Sequence, residues 1–353
     1  AIRSESVQAS FRKAGVSVPD YDISAVTPGI IHLGIGAFHR AHMAAYVDSL
    51  LAQYPDWAII GASLRRPDTR DALAPQDFLY TLSIRDAAGT RARIIGAVRD
   101  VIDASQNRQV LLDLMASEAI RIVSLTVTEK GYCYAPATGE LDESHPDIVH
   151  DLAHPEAPIS APGIIAAALK LRYDRGLIPF TVMSCDNLPS NGKTAGRIVR
   201  RFAELMGDAD FIEYVNSVNF PSTMIDRIVP ATTDADREIV REITGLDDAW
   251  PIMTEPFTQW VIEDSFPAGR PPFELAGAQL VEDVEPFELM KLRMLNGSHS
   301  TMSYLGYLAG HQYVSEAIAD PGILKLIHGL MTDEVIPTLP MPRPDLEAYR
   351  DQL

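Results

Sequence analysis

Short apolar runs alternate with a segment of helical periodicity at the start of the chain. Ile30–Leu33 is an apolar run that leads into two glycines, Gly34 and Gly36, and apolar residues then recur at helical spacing from Ala37 to Tyr54. Trp57–Leu64 is a second apolar run with the length of a buried strand. The order of strand, tight turn, helix and strand predicts a βαβ unit.

The middle of the chain supplies more strands. Tyr80–Ile84 and Arg91–Val98 flank Asp86–Gly89, which predicts a β-hairpin that decorates the main sheet. Two β-branched apolar runs are typical of parallel strands covered on both faces, and a helical segment between them is a crossover candidate. The two runs are Ile120–Val127 and Phe180–Ser184, and the predicted crossover helix is Ile164–Arg175.

The pattern changes beyond Pro286, where Glu288–Leu308 and Tyr313–Thr332 have helical periodicity and are separated by Gly310. We therefore predict an α/β fold with two domains. A doubly wound domain with the hairpin insertion covers residues 1–280, and a mainly α-helical domain covers 281–353. A new helical start at Leu346–Leu353 leads us to expect that the natural chain continues.

Composition narrows the class of protein. A chain of 353 residues with 46% apolar residues can bury a sizeable core. The net charge of −18 argues against a nucleic-acid partner, and no apolar run approaches the roughly 20 residues that span a bilayer. Two cysteines, Cys133 and Cys185, fit a reducing compartment. We expect a cytoplasmic protein, either a monomer or a dimer, that acts on a small molecule.

The glycine turn is the candidate dinucleotide site. Gly34 and Gly36 follow a strand and open a helix, a context in which backbone N–H groups can bind a pyrophosphate, although His39 stands where a third glycine is usual. Beyond the second strand, Asp68 is a candidate for the ribose hydroxyls, whereas Arg65 and Arg66 are candidates for a 2′-phosphate. The residues alone leave NAD and NADP open.

Other sequence patterns give weaker evidence of function. A phosphate loop at Ser190–Thr194 is rejected because Asn187 replaces the required upstream glycine. Asn187 itself follows Asp186 at the carboxyl end of a predicted strand, where it is either a ligand residue or a turn former. Histidines at 39 and 42, and at 145, 150 and 154, suggest metal ligands, but no Cys or carboxylate arrangement completes a set, so we predict no metal.

The segment from Met290 to His299 is the most informative for chemistry. At about 100° per residue, Lys291, His299 and Asn296 fall at about 0°, 80° and 140° on a helix, so they share one polar face. Oxidation of an alcohol needs a base for the hydroxyl proton and donors for the developing oxyanion. A lysine and an asparagine can supply these groups without a metal.

Five stretches together resemble the polyol-specific long-chain dehydrogenases, the family of mannitol 2-dehydrogenase, fructuronate reductase and tagaturonate reductase. They span nearly the whole chain and comprise His32–His42, Ser124–Tyr132, Thr181–Asn187, Gln259–Asp264 and Lys291–His299. The resemblance implies a Rossmann-type N-terminal domain, a helical C-terminal domain, a cleft between them and NAD as the cofactor.

The resemblance also implies residue roles. Lys291 corresponds to the general acid/base, Asn187 and Asn296 to the asparagines that polarise the carbonyl, and His299 to the histidine that orients substrate. Glu129 and Glu288 correspond to glutamates near the proton path. The dinucleotide contacts are expected at Gly34, Gly36, Ala37, Phe38, Arg40 and Asp68.

Thr128–Cys133 and Met290–His299 resemble the fructuronate reductase branch more than the mannitol branch, which tends to have Gly where Lys130 stands. From this we expect D-fructuronate reduction to D-mannonate, with D-mannitol 2-dehydrogenase as the alternative. A nucleotide-binding regulatory protein with the same fold is the non-enzyme alternative, and retention of Lys291, Asn187, Asn296 and His299 argues against it.

Overall fold

The computed structural model describes residues 15–86 and 88–353 of the chain. It divides into two compact units, one ending at Glu282 and the other running from Asp283 to Leu353. In the described residues, no helix is both long and apolar enough to cross a membrane.

A five-stranded parallel sheet forms the centre of the first unit, with the strand order β5-β2-β1-β6-β9. Its strands are β1 (Pro28–Leu33), β2 (Ala58–Ser63), β5 (Val98–Asp103), β6 (Ile122–Leu125) and β9 (Thr181–Ser184). The direction of connection reverses between β1 and β6, and ligands of such sheets bind beyond the carboxyl ends of the strands at this switch point. The expected Rossmann-type architecture is confirmed.

Smaller sheets surround the central one. The hairpin of β3 (Tyr80–Asp86) and β4 (Gly89–Ile95) pairs with β11 (Ile252–Thr254), while β10 (Thr223–Asp226), β12 (Gln259–Glu263) and β13 (Gln279–Val281) form a second three-stranded sheet. A two-stranded ribbon contains β7 (Tyr134–Ala135) and β8 (Glu140–Leu141). The hairpin prediction is confirmed, but its second strand ends at Ile95, because Val98 already belongs to β5 and pairs with β2.

Helices cover both faces of the central sheet. They are α1 (Ala37–Ala41), α2 (Met43–Asp48), α3 (Asp68–Leu73), α4 (Arg108–Met115), α5 (Thr128–Gly131), α6 (Pro146–Ala153), α7 (Ala161–Asp174), α8 (Asn191–Met206), α9 (Ala209–Asn216) and α10 (Asp234–Thr244). Three short 3₁₀ turns lie at Pro55–Trp57, Ala74–Gln76 and Phe273–Ala276.

Successive strand residues face opposite layers of the core. Ile30 packs with α1 and α2 on one face, whereas Ile31 packs with α4, α7 and α8 on the other, and both side chains are fully buried. Burial on both faces explains why the strands read as continuous apolar runs rather than as alternating ones.

The predicted single helix from Ala37 to Tyr54 is wrong. Two short helices, α1 and α2, occupy only residues 37–48, and His42 between them has non-helical dihedrals of φ −108° and ψ −93°. Its ring packs against Trp260, and its Nε2 lies 2.9 Å from the carbonyl oxygen of Gln259. This buried contact with β12 accompanies the break, which the apolar spacing did not reveal.

The predicted crossover helix is confirmed as α7. Its first turn is capped by the Ser160 hydroxyl, which accepts the Gly163 N–H at 3.0 Å. The buried Asp151 carboxylate accepts the Ser160 hydroxyl proton at 2.6 Å, and a Cβ at Gly163 would lie only 2.1 Å from that carboxylate. A glycine is therefore required at this position.

The second unit is helical, as predicted. It contains α11 (Glu285–Met290), a π-helix (Lys291–Asn296), α12 (Gly297–Ala309), α13 (Val314–Ala319), α14 (Pro321–Gly329), a second π-helix (Leu330–Val335), a 3₁₀ turn (Ile336–Thr338) and α15 (Arg343–Gln352). Gly310 ends α12 in the left-handed conformation at φ +87°. Leu346 and Tyr349 of α15 are buried, and α15 packs against the core of this unit through them.

Candidate active site

The turn after β1 is built around Gly34. This residue has φ +87°, and a Cβ placed on it would lie 2.2 Å from the carbonyl oxygen of Thr126, which follows β6. The Thr126 hydroxyl donates to the Gly34 carbonyl at 2.8 Å and ties the ends of the two strands together. Gly36 differs, because it is exposed and a Cβ there would meet nothing closer than 3.8 Å.

A buried histidine supports this turn from below. His32 Nδ1 lies 2.8 Å from the Ser124 hydroxyl, and its Nε2 lies 2.7 Å from the Thr126 hydroxyl. Because the Thr126 proton is used on Gly34, Nε2 must donate and Nδ1 must accept. Burial lowers the pKa of His32 to about 3, so the ring is neutral at physiological pH.

The His39 ring stacks on His32 with their centroids 3.4 Å apart. His39 is buried, and no hydrogen-bond partner for either ring nitrogen is found among the described residues. Burial is the first cause that holds the pKa of His39 well below its ordinary value, and the neighbouring His32 adds to it. The position of the missing third glycine is thus filled by a buried neutral ring.

A cavity of about 320 Å³ opens at the carboxyl edge of the central sheet. Its lining comes from the turns after β1, β2 and β6 and from the start of α7, and consists of Gly34, Leu64, Arg65, Arg66, Thr126, Val127, Thr128, Gly131, Ile159, Ser160 and Ala161. This is the switch point at which parallel α/β sheets place their ligands. We refer to it as the Gly34 cavity.

Of the expected dinucleotide contacts, Gly34 lines this cavity, and Gly36, Ala37, Phe38, Arg40 and Asp68 are not among its lining residues. Arg40 is buried, donates to the Trp250 carbonyl at 2.6 Å and lies over the Tyr80 ring. Burial lowers the pKa of Arg40 to about 10. Asp68 is exposed at the first residue of α3.

Arg65 and Arg66 do line the Gly34 cavity, as the 2′-phosphate alternative requires. The Arg65 guanidinium, however, forms an ion pair with Asp147 at 2.6 Å. The arginine side chain is 68% exposed, and exposed pairs of this kind are worth at most about 1 kcal/mol. The ion pair therefore holds the Arg65 guanidinium only weakly in its present position.

A second cavity, of about 410 Å³, brings Glu129 and Asn187 together. The buried Asp186 carboxylate organises it by accepting the N–H groups of Val127 at 3.0 Å and Thr128 at 2.9 Å and the Tyr132 hydroxyl at 2.7 Å. Thr128 has φ +64°, so these bonds hold a strained turn. Burial raises the pKa of Asp186, whereas its hydrogen bonds oppose the rise.

The segment that we predicted to carry the reaction chemistry begins with a π-helix, Lys291–Asn296, rather than an α-helix. The Gly297 N–H donates to the Leu292 carbonyl, an i to i−5 hydrogen bond. In such a turn, residues five positions apart stack along the helix, so Lys291 and Asn296 lie nearer one another in angle than the 140° expected for an α-helix. Insertions of this kind are frequent at functional sites.

Exposure differs along this segment. Lys291, Asn296 and Glu288 are half-buried, and His299 is exposed at the start of α12. His299 also lines an apolar cavity of about 530 Å³ within the second unit, whereas Lys291 and Asn296 do not. The structure therefore places Lys291 and Asn296 together on the π-helix. His299 lies on the next helix, α12, and contacts a different, apolar cavity.

The sequence pattern did not reveal that a cysteine, a histidine and an aspartate lie close enough together to hold a metal ion. In the part of the chain that the structure describes, Cys133, His145 and Asp147 place ligating atoms within 4.8 Å of one another. His150 and His154, which the sequence grouped with His145, instead lie beside each other with ring centroids 5.0 Å apart. Cys185, the other cysteine, is a buried thiol.

Models of two protein domains match the chain. Residues 28–275 match the mannitol dehydrogenase Rossmann domain, and residues 283–353 match the mannitol dehydrogenase C-terminal domain. The chain belongs to the mannitol dehydrogenase family. The resemblance identified from the five sequence stretches is confirmed.

Relatives within the mannitol dehydrogenase family share nearly half of their residues with this chain. Mannitol dehydrogenase 2 of Saccharomyces cerevisiae is 46% identical over 338 residues, which cover 94% of this chain and 67% of the yeast protein. Mannitol 2-dehydrogenase of Aspergillus fumigatus is 46% identical over 350 residues, covering 96% and 70%. The chain thus spans about two thirds of these relatives.

Two solved structures of related enzymes resemble the fold closely. The Pseudomonas fluorescens mannitol 2-dehydrogenase in ternary complex with NAD and D-mannitol is 44% identical, with a TM-score of 0.87 over 96% of this chain and 70% of that one. D-sorbitol dehydrogenase in substrate-free form is 39% identical, with a TM-score of 0.92 over 96% and 71%.

The sequence analysis did not identify three features: the hydrogen bonds by which Asp186 organises the second cavity, the support that His32 gives to the glycine turn, and the grouping of Cys133 with His145 and Asp147. Asp186 stood next to a residue already chosen, and its place after a buried strand was a usable signal. The role of His32 depends on a contact with Ser124, 92 residues away, and the grouping of Cys133 with His145 depends on how the chain folds back through β7 and β8 between them.

Proposed function

We propose that this member of the mannitol dehydrogenase family is an NAD-dependent oxidoreductase that interconverts D-mannitol and D-fructose. The observation that carries the proposal is the 44% identity and matching fold shared with a mannitol 2-dehydrogenase whose structure contains NAD and D-mannitol. Curated relatives from two fungi carry mannitol dehydrogenase names as well.

The substrate choice departs from the first expectation. The Thr128–Cys133 and Met290–His299 stretches favoured D-fructuronate, whereas the Aspergillus fumigatus and Pseudomonas fluorescens relatives are named for mannitol and a third for sorbitol. Lys130 lies with Glu129 and Asn187 on the second cavity and is exposed. Similarity over nearly the whole chain outweighs similarity in two short stretches, so the neutral polyol is the better proposal.

The residues present fit a dinucleotide. Gly34 lets the backbone approach Thr126 without a side chain, and exposed Gly36 leaves the opening of α1 accessible to a phosphate. The N–H groups of a first helical turn lack partners in their own helix, and Ala37 and Phe38 occupy that turn. Gly34, Gly36, Ala37 and Phe38 would hold the pyrophosphate, and Asp68 is the candidate ribose contact. The bound nicotinamide would supply the hydride acceptor or donor.

The chain's own groups handle the proton. In oxidation, the hydroxyl proton of the substrate passes to the Lys291 amine, and a hydride leaves the carbon that bears this hydroxyl. In reduction, Lys291 returns the proton to the alkoxide. Asn187 and Asn296 donate to the substrate oxygen and stabilise the charge that develops on it. His299 orients the substrate, and Glu129 and Glu288 relay the proton to solvent.

Arg40 is the weakest of the proposed dinucleotide contacts, because its guanidinium is engaged by Trp250 and Tyr80. We assign it to supporting α1 from inside the fold. We keep NAD ahead of NADP, because the related mannitol 2-dehydrogenase structure contains NAD. A kcat/KM ratio that favours NADP would contradict this order, and replacing Arg65 and Arg66 by Gln should then reverse the preference.

The test is a dinucleotide-linked assay with D-mannitol, D-sorbitol and D-arabinitol in oxidation, and with D-fructose and D-fructuronate in reduction. The expected result is the highest kcat/KM for the D-mannitol and D-fructose pair. Preference for D-fructuronate would reinstate the first expectation. Dinucleotide binding without turnover of any substrate would favour a regulatory protein and overturn the proposal.

A further inference from the structure

Three different metal-ligating groups meet outside the proposed active site. The Cys133 thiol, the His145 imidazole and the Asp147 carboxylate each place one ligating atom within 4.8 Å of the other two. Cys133 follows α5, whereas His145 and Asp147 lie at the start of α6. A tetrahedral zinc ion holds such ligands at about 2.0–2.3 Å, which sets them roughly 3.5 Å apart. Movements of about 1 Å would therefore close this set around an ion.

We propose that Cys133, His145 and Asp147 form a binding site for a zinc-like divalent cation that takes no part in the redox reaction. Sulfur, imidazole nitrogen and carboxylate oxygen are the three ligand types of protein zinc sites, and water completes a site with three protein ligands. The Cys133 side chain is buried, so the sulfur is shielded from bulk solvent.

A reactive thiol is the competing interpretation of Cys133. Burial raises the pKa of this thiol to about 12, with the carboxylates of Asp147 and Asp151 adding to the rise. A nucleophilic or redox-active cysteine needs the opposite shift, toward the thiolate. Cys133 is therefore not an activated nucleophile, and the metal site rests on the grouping of the three ligand atoms.

His145 and Asp147 are already held in one turn. Without an ion, the one ring nitrogen of neutral His145 that has a free lone pair, Nδ1, accepts the Asp147 N–H at 3.2 Å and caps α6, so an ion would replace this hydrogen bond. Two ligands on one ordered turn reduce the entropy that an ion would have to overcome on binding. The site would gain its third ligand from the Cys133 segment.

Arg65 competes with the ion for Asp147. Its guanidinium lies 2.6 Å from the Asp147 carboxylate and also lines the Gly34 cavity. An ion on Asp147 would displace the Arg65 guanidinium from this ion pair and leave it free to contact a ligand in that cavity. Since we place the anionic dinucleotide there, metal loading should raise dinucleotide affinity, a coupling that rests on the proposed function.

The direct test uses chelator-treated, dialysed protein titrated with Co²⁺ and with Zn²⁺. We expect one equivalent of Co²⁺ to produce a sulfur-to-metal charge-transfer absorption, and Zn²⁺ to abolish it. Cys133→Ser should remove this band, and Asp147→Asn should weaken Zn²⁺ binding by at least about 10- to 100-fold. Circular dichroism on each variant checks that the chain is folded.

Two variants serve as matched controls. Cys185→Ser replaces the other buried cysteine and should keep the band, and His154→Gln should keep the affinity. Arg65→Gln should tighten Zn²⁺ binding by up to about fivefold, because it removes the competing cation. Absence of stoichiometric binding would overturn the proposal, and so would a band that survives Cys133→Ser or binding lost in His154→Gln.

A separate measurement of dinucleotide affinity tests the coupling between the metal site and dinucleotide binding. Zn²⁺ should raise dinucleotide affinity in the wild-type protein and leave it unchanged in Arg65→Gln. An equal effect of Zn²⁺ in both proteins would overturn the role given to Arg65. Because the cobalt band needs no dinucleotide, failure to bind dinucleotide at all would contradict the proposed function and not the metal site.

Discussion

The Tyr132 hydroxyl donates to the Asp186 carboxylate at 2.7 Å and thereby joins the segment after β6 to the segment after β9. The same carboxylate accepts two backbone N–H groups, from Val127 and Thr128. All of the remaining groups on the second cavity, Glu129 and Asn187 among them, lie on the two segments that this carboxylate connects.

Asp186→Asn should destabilise the first unit. The amide retains one acceptor oxygen and turns its NH₂ toward groups that are donors themselves, so a buried donor loses its partner. We expect the free energy of unfolding to fall by about 2–3 kcal/mol, against about 1 kcal/mol for Tyr132→Phe. Urea unfolding measures both values, and equal stability of Asp186→Asn and the wild type would show that the carboxylate organises nothing.

Substitutions at the two glycines of the turn should affect different properties, stability at Gly34 and dinucleotide binding at Gly36. Gly34→Ala meets both a left-handed backbone and the Thr126 carbonyl, and should lower stability by about 3 kcal/mol or more. Gly36→Val enters an extended residue with open space around it, and should change stability by about 1 kcal/mol or less while weakening dinucleotide binding.

Thermal unfolding and a dinucleotide titration separate these two effects. Circular dichroism checks that Gly36→Val is folded before NAD is added. If Gly36→Val bound NAD as tightly as the wild type, the pyrophosphate would have to lie elsewhere.

The buried histidines predict acid sensitivity. The folded pKa of His32 is about 3, against an ordinary value of 6.5, so between these values the unfolded chain binds a proton that the folded chain does not. Stability should thus fall as pH drops through this window, by about 1.4 kcal/mol per pH unit for each such histidine.

His39→Phe gives the matched comparison, because a phenyl ring keeps the stack on His32 and cannot be protonated. Its unfolding free energy should be equal to or above that of the wild type at pH 7 and should fall less steeply toward pH 4.5. Identical slopes in the two proteins would contradict the assignment of His39 as a buried neutral ring.

Much of the fold could be predicted from the sequence, since strands buried on both faces are continuous apolar runs such as Ile30–Leu33. β5 was missed because its polar residues, such as Asp100, interrupt the apolar pattern, and Val98 had been joined to the hairpin. The break at His42 depends on a contact with Gln259, more than 200 positions away, which no local pattern records.

The candidate site was predictable in its residue types and less so in its geometry. Lys291 and Asn296 were chosen with α-helical spacing, and the π-helix changes the angle between them. The inward course of Arg40 depends on Tyr80 and Trp250, which belong to distant segments. The approach of Cys133 to His145 depends on the two-stranded ribbon of β7 and β8 that lies between them.

The assignment of Lys291 as the general acid/base is the central claim, and the pH dependence of D-mannitol oxidation by Lys291→Ala tests it most directly. In the wild type, turnover should rise with pH as the lysine amine loses its proton. Lys291→Ala should lose about 10²- to 10⁴-fold in kcat and lose this dependence, retain dinucleotide affinity and recover partly with an added small amine. Lys325→Ala, at an exposed lysine of the same unit, should behave as the wild type. A Lys291→Ala enzyme with wild-type turnover and an unchanged pH profile would contradict the account.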